Sequence, residues 1–169
     1  RLVERGRNFK IEKPIYEEIV AERAKNGSNK TEYLLQNGAT LGKTVVYTSS
    51  WREMCHITDA LRLANVSFGS ISRFMNRKQR AVACNEFQKD AKMRFFVMEA
   101  STSDTENVLD SAECILFLQP CLSVLIRQLA LNRVIRIGGG RPVKVLTLKT
   151  RNTIDETSIY ETFPSLQTV

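Results

Sequence analysis

The sequence has no long apolar run. None of its 169 residues fall in a stretch that would span a bilayer, and no signal-peptide core opens the chain. The expectation is a soluble, intracellular domain with no membrane partner. Histidine and tryptophan occur once each, as His56 and Trp51, and the four cysteines (Cys55, Cys84, Cys114 and Cys121) include no Cys-x-x-Cys pair. A structural zinc site needs four closely spaced soft ligands, so no metal site is expected. Cys114 and Cys121 bracket a predicted strand, which holds them too far apart to bridge. Three of the four thiols lie in apolar stretches and read as small core residues. The parts of a nucleotide-hydrolysing site are also missing. Gly38-Ala-Thr-Leu-Gly42-Lys43-Thr44 has three residues between its glycines where a phosphate loop has four. Its Lys-Thr pair also opens a predicted strand, whereas a phosphate loop opens a helix whose first amides meet the phosphates. No Asp-Glu pair ends a strand to hold magnesium. By itself the chain lacks what binds and activates ATP.

What is present is globular. Apolar residues make up 43% and charged residues 25%, and the length suits one domain with an ordinary core. The net charge of +7 admits two readings, a polyanionic partner such as nucleic acid or simple solubility charge.

Residues 1–12 are charged and irregular and read as a linker. Lys13-Pro14 opens a predicted helix over 15–25, stopped by Asn26-Gly27. Ser28 or Asn29 caps a second helix over 31–36, closed by Asn37-Gly38. From there strands and helices alternate. Thr44-Val-Val-Tyr47 is a buried strand, and Ser49-Ser50 cap a helix with apolar Met54, Ile57, Leu61 and Leu63. A strand over 66–71 precedes a helix capped by Asn76, and a strand over 93–98 precedes a polar loop over 101–107. Strands are predicted over 114–118 and 144–148, and Thr153 caps a last helix with Asp155-Glu156 in its first turn. The alternation predicts an α/β fold, a parallel sheet sandwiched by helices. Ligands of such sheets bind beyond the C-terminal strand ends, here Thr48-Ser49-Ser50, Ala100-Ser101-Thr102 and Gln119-Pro120.

The chain is organised around the stretch from Gln128 to Gly138, which carries Arg133 and Arg136 three residues apart and is predicted to be a helix presenting both on one face. Two planar, permanently charged guanidiniums suit a transferring phosphoryl group. The alternative is a pair of surface cations at a helix C-terminus, where the dipole favours them anyway.

Read together, these stretches resemble the second RecA-like lobe of the Swi/Snf family of DNA-translocating ATPases, in helicase superfamily two. The resemblance covers residues 43–160 and rests on motifs in family order. Lys43 to Trp51 resembles the motif IV strand. Asn76 to Arg80 with Cys84 to Asp90 resembles the family's R…F…D helix. The strand at Phe96-Val97-Met98 and the stretch to Ala112 align with motif V. Gln128 to Gly138, with its Arg-x-x-Arg-Ile-Gly, resembles motif VI. Asn152-Thr-Ile-Asp155-Glu156 resembles the closing helix. Three departures stand out. The glycine-rich motif V is replaced by Ser103-Asp104-Thr105-Glu106-Asn107-Val108-Leu109, Leu129 stands where a glutamine is usual, and Ser72-Arg73 stands where the family has Asp-Gly.

The resemblance implies a helicase C-terminal lobe over 41–162, an N-terminal linker with short helices over 1–40, and a tail over 163–169. It implies a nuclear parent protein that is a DNA-dependent ATPase. ATP and Mg2+ would be held mainly by a first RecA-like lobe of the same parent, and the partners would be double-stranded DNA and possible chromatin proteins such as nucleosomes. By position, Arg136 would be the arginine finger and Arg133 its partner on the phosphates, with Gln128 beside them. Lys43, Thr48, Ser49, Ser50, Arg73, Ser101 and Thr102 would contact the DNA backbone. For the serines and threonines the competing reading is ordinary helix capping, and for Trp51 it is packing. The charged motif V stretch keeps a second function open, a non-catalytic lobe that binds DNA or protein as a scaffold.

Overall fold

The computed structural model describes residues 29–38, 40–102, 109–135, 142–150 and 153–155. The predicted helix over 15–25 lies outside them. Helix α1 spans Asn29–Asn37 and ends where Gly38 N–H donates to Leu34 O at 2.9 Å. A side chain at Gly38 would collide with the Phe95 ring, 2.3 Å from an ideal Cβ. Strand β1 (Thr44–Thr48) is followed by α2 (Trp51–Leu63), β2 (Phe68–Ile71), α3 (Arg77–Lys89), β3 (Phe95–Glu99), β4 (Cys114–Phe117), α4 (Val124–Asn132) and β5 (Lys144–Thr147).

The caps follow their chemistry. Ser50 accepts from Glu53 N–H at the start of α2. Asn76 and Gln79 form a reciprocal capping box at the start of α3. Several boundaries differ from the sequence-based expectation, among them the start of β3, at Phe95 and not Met93. Strand β2 begins at Phe68, not Val66, because Asn65 takes a left-handed turn (φ 53°) that delays the strand. Helix α4 begins at Val124 under a Ser123 cap and its regular part ends at Asn132. Arg133 therefore sits at the C-cap, and the predicted helix over 128–138 does not extend through it. Leu131 O accepts from both Val134 and Ile135 there, which closes the last turn.

All neighbouring strands are parallel, in the order β2-β3-β1-β4-β5. Alternate residues of each strand face opposite sides. One face gathers Val45, Tyr47, Phe96, Met98, Ile115 and Phe117 under Cys84 and Phe87 of α3 and Ala130 of α4. The other gathers Val46, Phe95, Val97, Cys114 and Leu116 under Leu34 of α1 and Met54, Ile57 and Leu61 of α2. The central strands β1, β3 and β4 are buried along their whole length, as expected for a sheet covered on both faces. The result is a three-layer helix–sheet–helix sandwich. The winding of the strands diverges between β1 and β4. The connection leaving β1 runs toward β3 and β2, and that leaving β4 runs toward β5. The crevice between the C-terminal ends of β1 and β4 is thus the switch point where open α/β sheets place their ligands. No described helix is long and apolar enough to cross a membrane.

Candidate functional site

The switch-point crevice is filled by a hydrogen-bonded cluster. Ser49 follows β1 and donates its N–H to Glu53 Oε2 at 2.7 Å and its hydroxyl to the same oxygen at 3.1 Å. Across the crevice Gln119, just past β4, donates Nε2–H to Glu53 Oε1 at 3.0 Å and meets the Ser49 hydroxyl at 3.1 Å. Both carboxylate oxygens are therefore engaged. The sequence reading missed Glu53 and Gln119. The available signal was Glu53 three residues after Ser50, which is the spacing of a capping box. A second acid missed at the rim is Glu99, the last residue of β3. It is buried and takes an ion pair from Arg73 at 2.6 Å.

The predicted DNA-contacting residues divide. Thr48, Ser49, Ser50, Arg73, Ser101 and Thr102 do come together at the C-terminal strand ends, knitted by Ala100 N–H to Thr48 O at 3.0 Å and Thr102 N–H to Glu99 O at 3.1 Å. Of these, Thr48 is buried with its hydroxyl on Met98 O, Ser50 is the α2 cap, and Arg73 is paired with Glu99. Ser101 is exposed, whereas Thr102 is buried with a hydroxyl that has no hydrogen-bond partner. Lys43 is not among them. It precedes β1, at the N-terminal end of the strands and opposite the rim, and its ammonium donates to Phe87 O and Gln88 O near the C-terminus of α3 while sitting 4.8 Å over the Phe87 ring. A cation is favoured there by the helix dipole and the ring face. That placement also removes the phosphate-loop decoy, since Lys43 caps a helix end and Gly42 leads into a strand.

Arg133 is only 3% exposed. It lies beneath the C-terminal ends of β1 and β3, donating from Nη2 to Thr102 O and from Nη1 toward Met98 Sδ at 3.7 Å. Its Nε has no partner, and it forms no ion pair with a carboxylate among the described residues. Burial pushes the neighbouring Tyr47 phenol up to about 12, against the pull of the Arg133 charge, and the phenol donates to Ala130 O at 2.8 Å. Gln128 is exposed and donates to Asn132 one turn on. Arg136 lies outside the described residues. Trp51 packs edge-on against Phe74, with ring centroids 5.3 Å apart, consistent with the packing reading.

Among the described residues no group of three His, Cys, Asp or Glu side chains is placed to hold a metal ion. No disulfide joins the four cysteines, and burial pushes the thiols of Cys55, Cys114 and Cys121 up and away from the reactive thiolate. Among the described residues the donor set does not fit ATP and Mg2+ by itself. The one lysine in a phosphate-loop-like context is engaged at a helix end, and the rim offers Glu53 and Glu99 where phosphate oxygens would need donors.

A parallel sheet of this strand order, covered by helices on both faces, is a RecA-like α/β fold. The comparisons agree. The structure superposes on the C-terminal part of the Fun30 ATPase domain with a TM-score of 0.68 at 15% identity, covering 78% of this chain and 42% of that one. In sequence the chain is 26% identical over 123 residues to the ATP-dependent helicase rhp16 of Schizosaccharomyces pombe. That alignment takes in 73% of this chain and 14% of the relative, so the chain spans about a seventh of that protein's length. No protein-family model matches it.

Proposed function

We propose that this chain is the C-terminal motor lobe of a larger nuclear Swi/Snf-type ATPase, one that translocates on DNA to remodel chromatin or repair intermediates, and that it is inactive alone. The observation that carries the reading is the coincidence of a helicase-lobe fold with an Arg-x-x-Arg segment leaving α4. In this reading ATP and Mg2+ are bound by a first lobe of the parent, and Arg136 supplies the fixed charge that stabilises the transferring phosphoryl group. The strand-end residues Ser49, Ser101 and Arg73 would run along a DNA backbone, contributing position without base readout. An apolar surface supports the two-lobe arrangement. Leu122, Val124 and Leu125, beside the rim, are 62%, 54% and 68% exposed. The first lobe is the occupant this reading assigns to that surface, since the chain spans only part of its relatives.

A second reading is favoured by one specific observation, the acid-bearing rim. Glu53 and Glu99 occupy the strand ends, and Asp104 and Glu106 stand in the motif V stretch. Carboxylates repel phosphate, so such a rim suits a non-catalytic lobe that acts as a scaffold, binding protein here or DNA through another face. The two readings separate in the full-length parent. DNA-stimulated ATP hydrolysis that Arg136→Ala reduces by about 10³-fold marks the motor. Absence of hydrolysis with DNA binding intact marks the scaffold. Hydrolysis that survives Arg136→Ala removes the finger assignment.

A further inference from the structure

Arg133 contacts both residues that flank segment 103–108. Its side chain donates to the carbonyl of Thr102 on one side, and its own carbonyl accepts the amide of Leu109 on the other at 2.9 Å. The post on which this clasp is mounted is itself fixed. Tyr47 of β1 is stacked on Phe117 of β4 with centroids 5.2 Å apart and holds the last full turn of α4 through Ala130 O. Leu109, Ala130 and Val134 all enter the same buried cluster. Burying a guanidinium whose Nε stays unsatisfied is expensive, and a methionine or leucine would fill the same space at lower cost. A buried charge kept at that cost points to a role in geometry. That role differs from the phosphate contact assigned to Arg133 by motif position, because a side chain 3% exposed and committed to Thr102 is not presented to a ligand.

We infer that Arg133 is a positioning residue that ties Thr102, beyond the end of β3, and Leu109, ahead of β4, to the C-terminal end of α4. The clasp rests on geometry alone. Its consequence for turnover rests on the motor reading.

The test combines amide hydrogen exchange on the full chain with kinetics of the parent. Arg133→Met removes the donor, Arg133→Gln is too short to reach Thr102, and Arg133→Lys keeps a single donor of nearly full reach. In Arg133→Met, peptides covering 99–112 should exchange about tenfold faster or more while those of β1 and α2 stay unchanged. Arg133→Lys should restore most of the protection. If Arg133→Met does not fold, Arg133→Gln is read in its place. In the parent, loss of the clasp should lower the kcat of DNA-stimulated hydrolysis about tenfold at unchanged KM for ATP, with Arg133→Lys recovering much of it. Unchanged exchange at 99–112 in both Met and Gln variants overturns the inference. An Arg133→Lys enzyme that exchanges normally yet turns over as slowly as Arg133→Met overturns the consequence for turnover, because an intact clasp would then not restore kcat. If the unmodified parent hydrolyses no ATP, the motor reading fails and the exchange result alone decides the clasp.

Discussion

Gly42 and Lys43 show how a single position sets what its neighbour can do. Gly42 turns the chain into β1 with φ 71°, and an ideal Cβ there would lie 2.0 Å from Glu113 Oε2. Only glycine adopts that backbone without strain. Gly42→Ala should cost about 1–2 kcal/mol from the left-handed conformation, with a further small term for moving the Glu113 side chain. A downward shift of the urea midpoint at constant slope would measure it, and an unshifted midpoint would mean the turn relaxes freely. With the turn in place, Lys43 is aimed at the end of α3, away from the rim. The motif-like string from Gly38 to Thr44 was legible as a decoy from its spacing. Where Lys43 would end up was not, because its partners Phe87 and Gln88 lie 44 and 45 residues away.

At the scale of elements, the distinctive contact joins α1 to Asp155, in the short described stretch 153–155 that follows β5 in sequence. Lys30 Nζ meets Asp155 Oδ2 at 2.5 Å across 125 residues, and Asp155 also accepts Thr150 N–H at 3.1 Å. Burial pushes the Asp155 carboxyl up, but the hydrogen bonds from Lys30 and Thr150 outweigh it and hold the carboxyl below its ordinary value of 3.8. A depressed carboxyl stabilises the folded form fully above the unfolded value and loses that stabilisation as pH falls through the folded one. Acidification from pH 6 to below pH 3 should therefore loosen α1, read as faster exchange in peptides over 29–37. Asp155→Asn should show the loosened behaviour already at pH 6, with little further response to acid. Equal acid sensitivity in the two proteins would assign the effect to other carboxylates. Elements with local signals were read correctly. Ser50 and Asn76 each sit just before an apolar-periodic helix and cap it. The start of α4 carries no such signal, because its cap, Ser123, stands in the apolar stretch Cys121-Leu-Ser-Val-Leu125.

For the whole molecule, charge and topology act together. The net charge of +7 favours a polyanion, yet the switch-point crevice is closed by Glu53 with Ser49 and Gln119. If a DNA strand runs along this rim, Glu53→Gln removes a repulsive charge and frees part of the Ser49 donor set. Duplex affinity of the parent should then rise several-fold at low salt, with the gain shrinking toward 1 M, where the screening length falls to about 3 Å. Fluorescence anisotropy with labelled duplex measures this, and an unchanged affinity at low salt would place the DNA elsewhere. The same topology explains why the site divides as it does. Parallel strands whose winding diverges between β1 and β4 bring residues separated by 70 positions, such as Ser49 and Gln119, into one crevice.

The sequence by itself determined the elements, their order and the α/β class, because strand periodicity, caps and glycine stops are encoded within a few residues. It also carried the motif resemblance to a helicase C-terminal lobe, which the fold then matched. Only the tertiary structure decided which polar side chains of the rim remain available. Strand order brought Glu53 to Ser49 and Gln119, and Glu99 to Arg73. It also buried Arg133 between Met98, Thr102 and the end of α4. A charged residue's role depends on its partners in space, and those are fixed by long-range packing that no local pattern records.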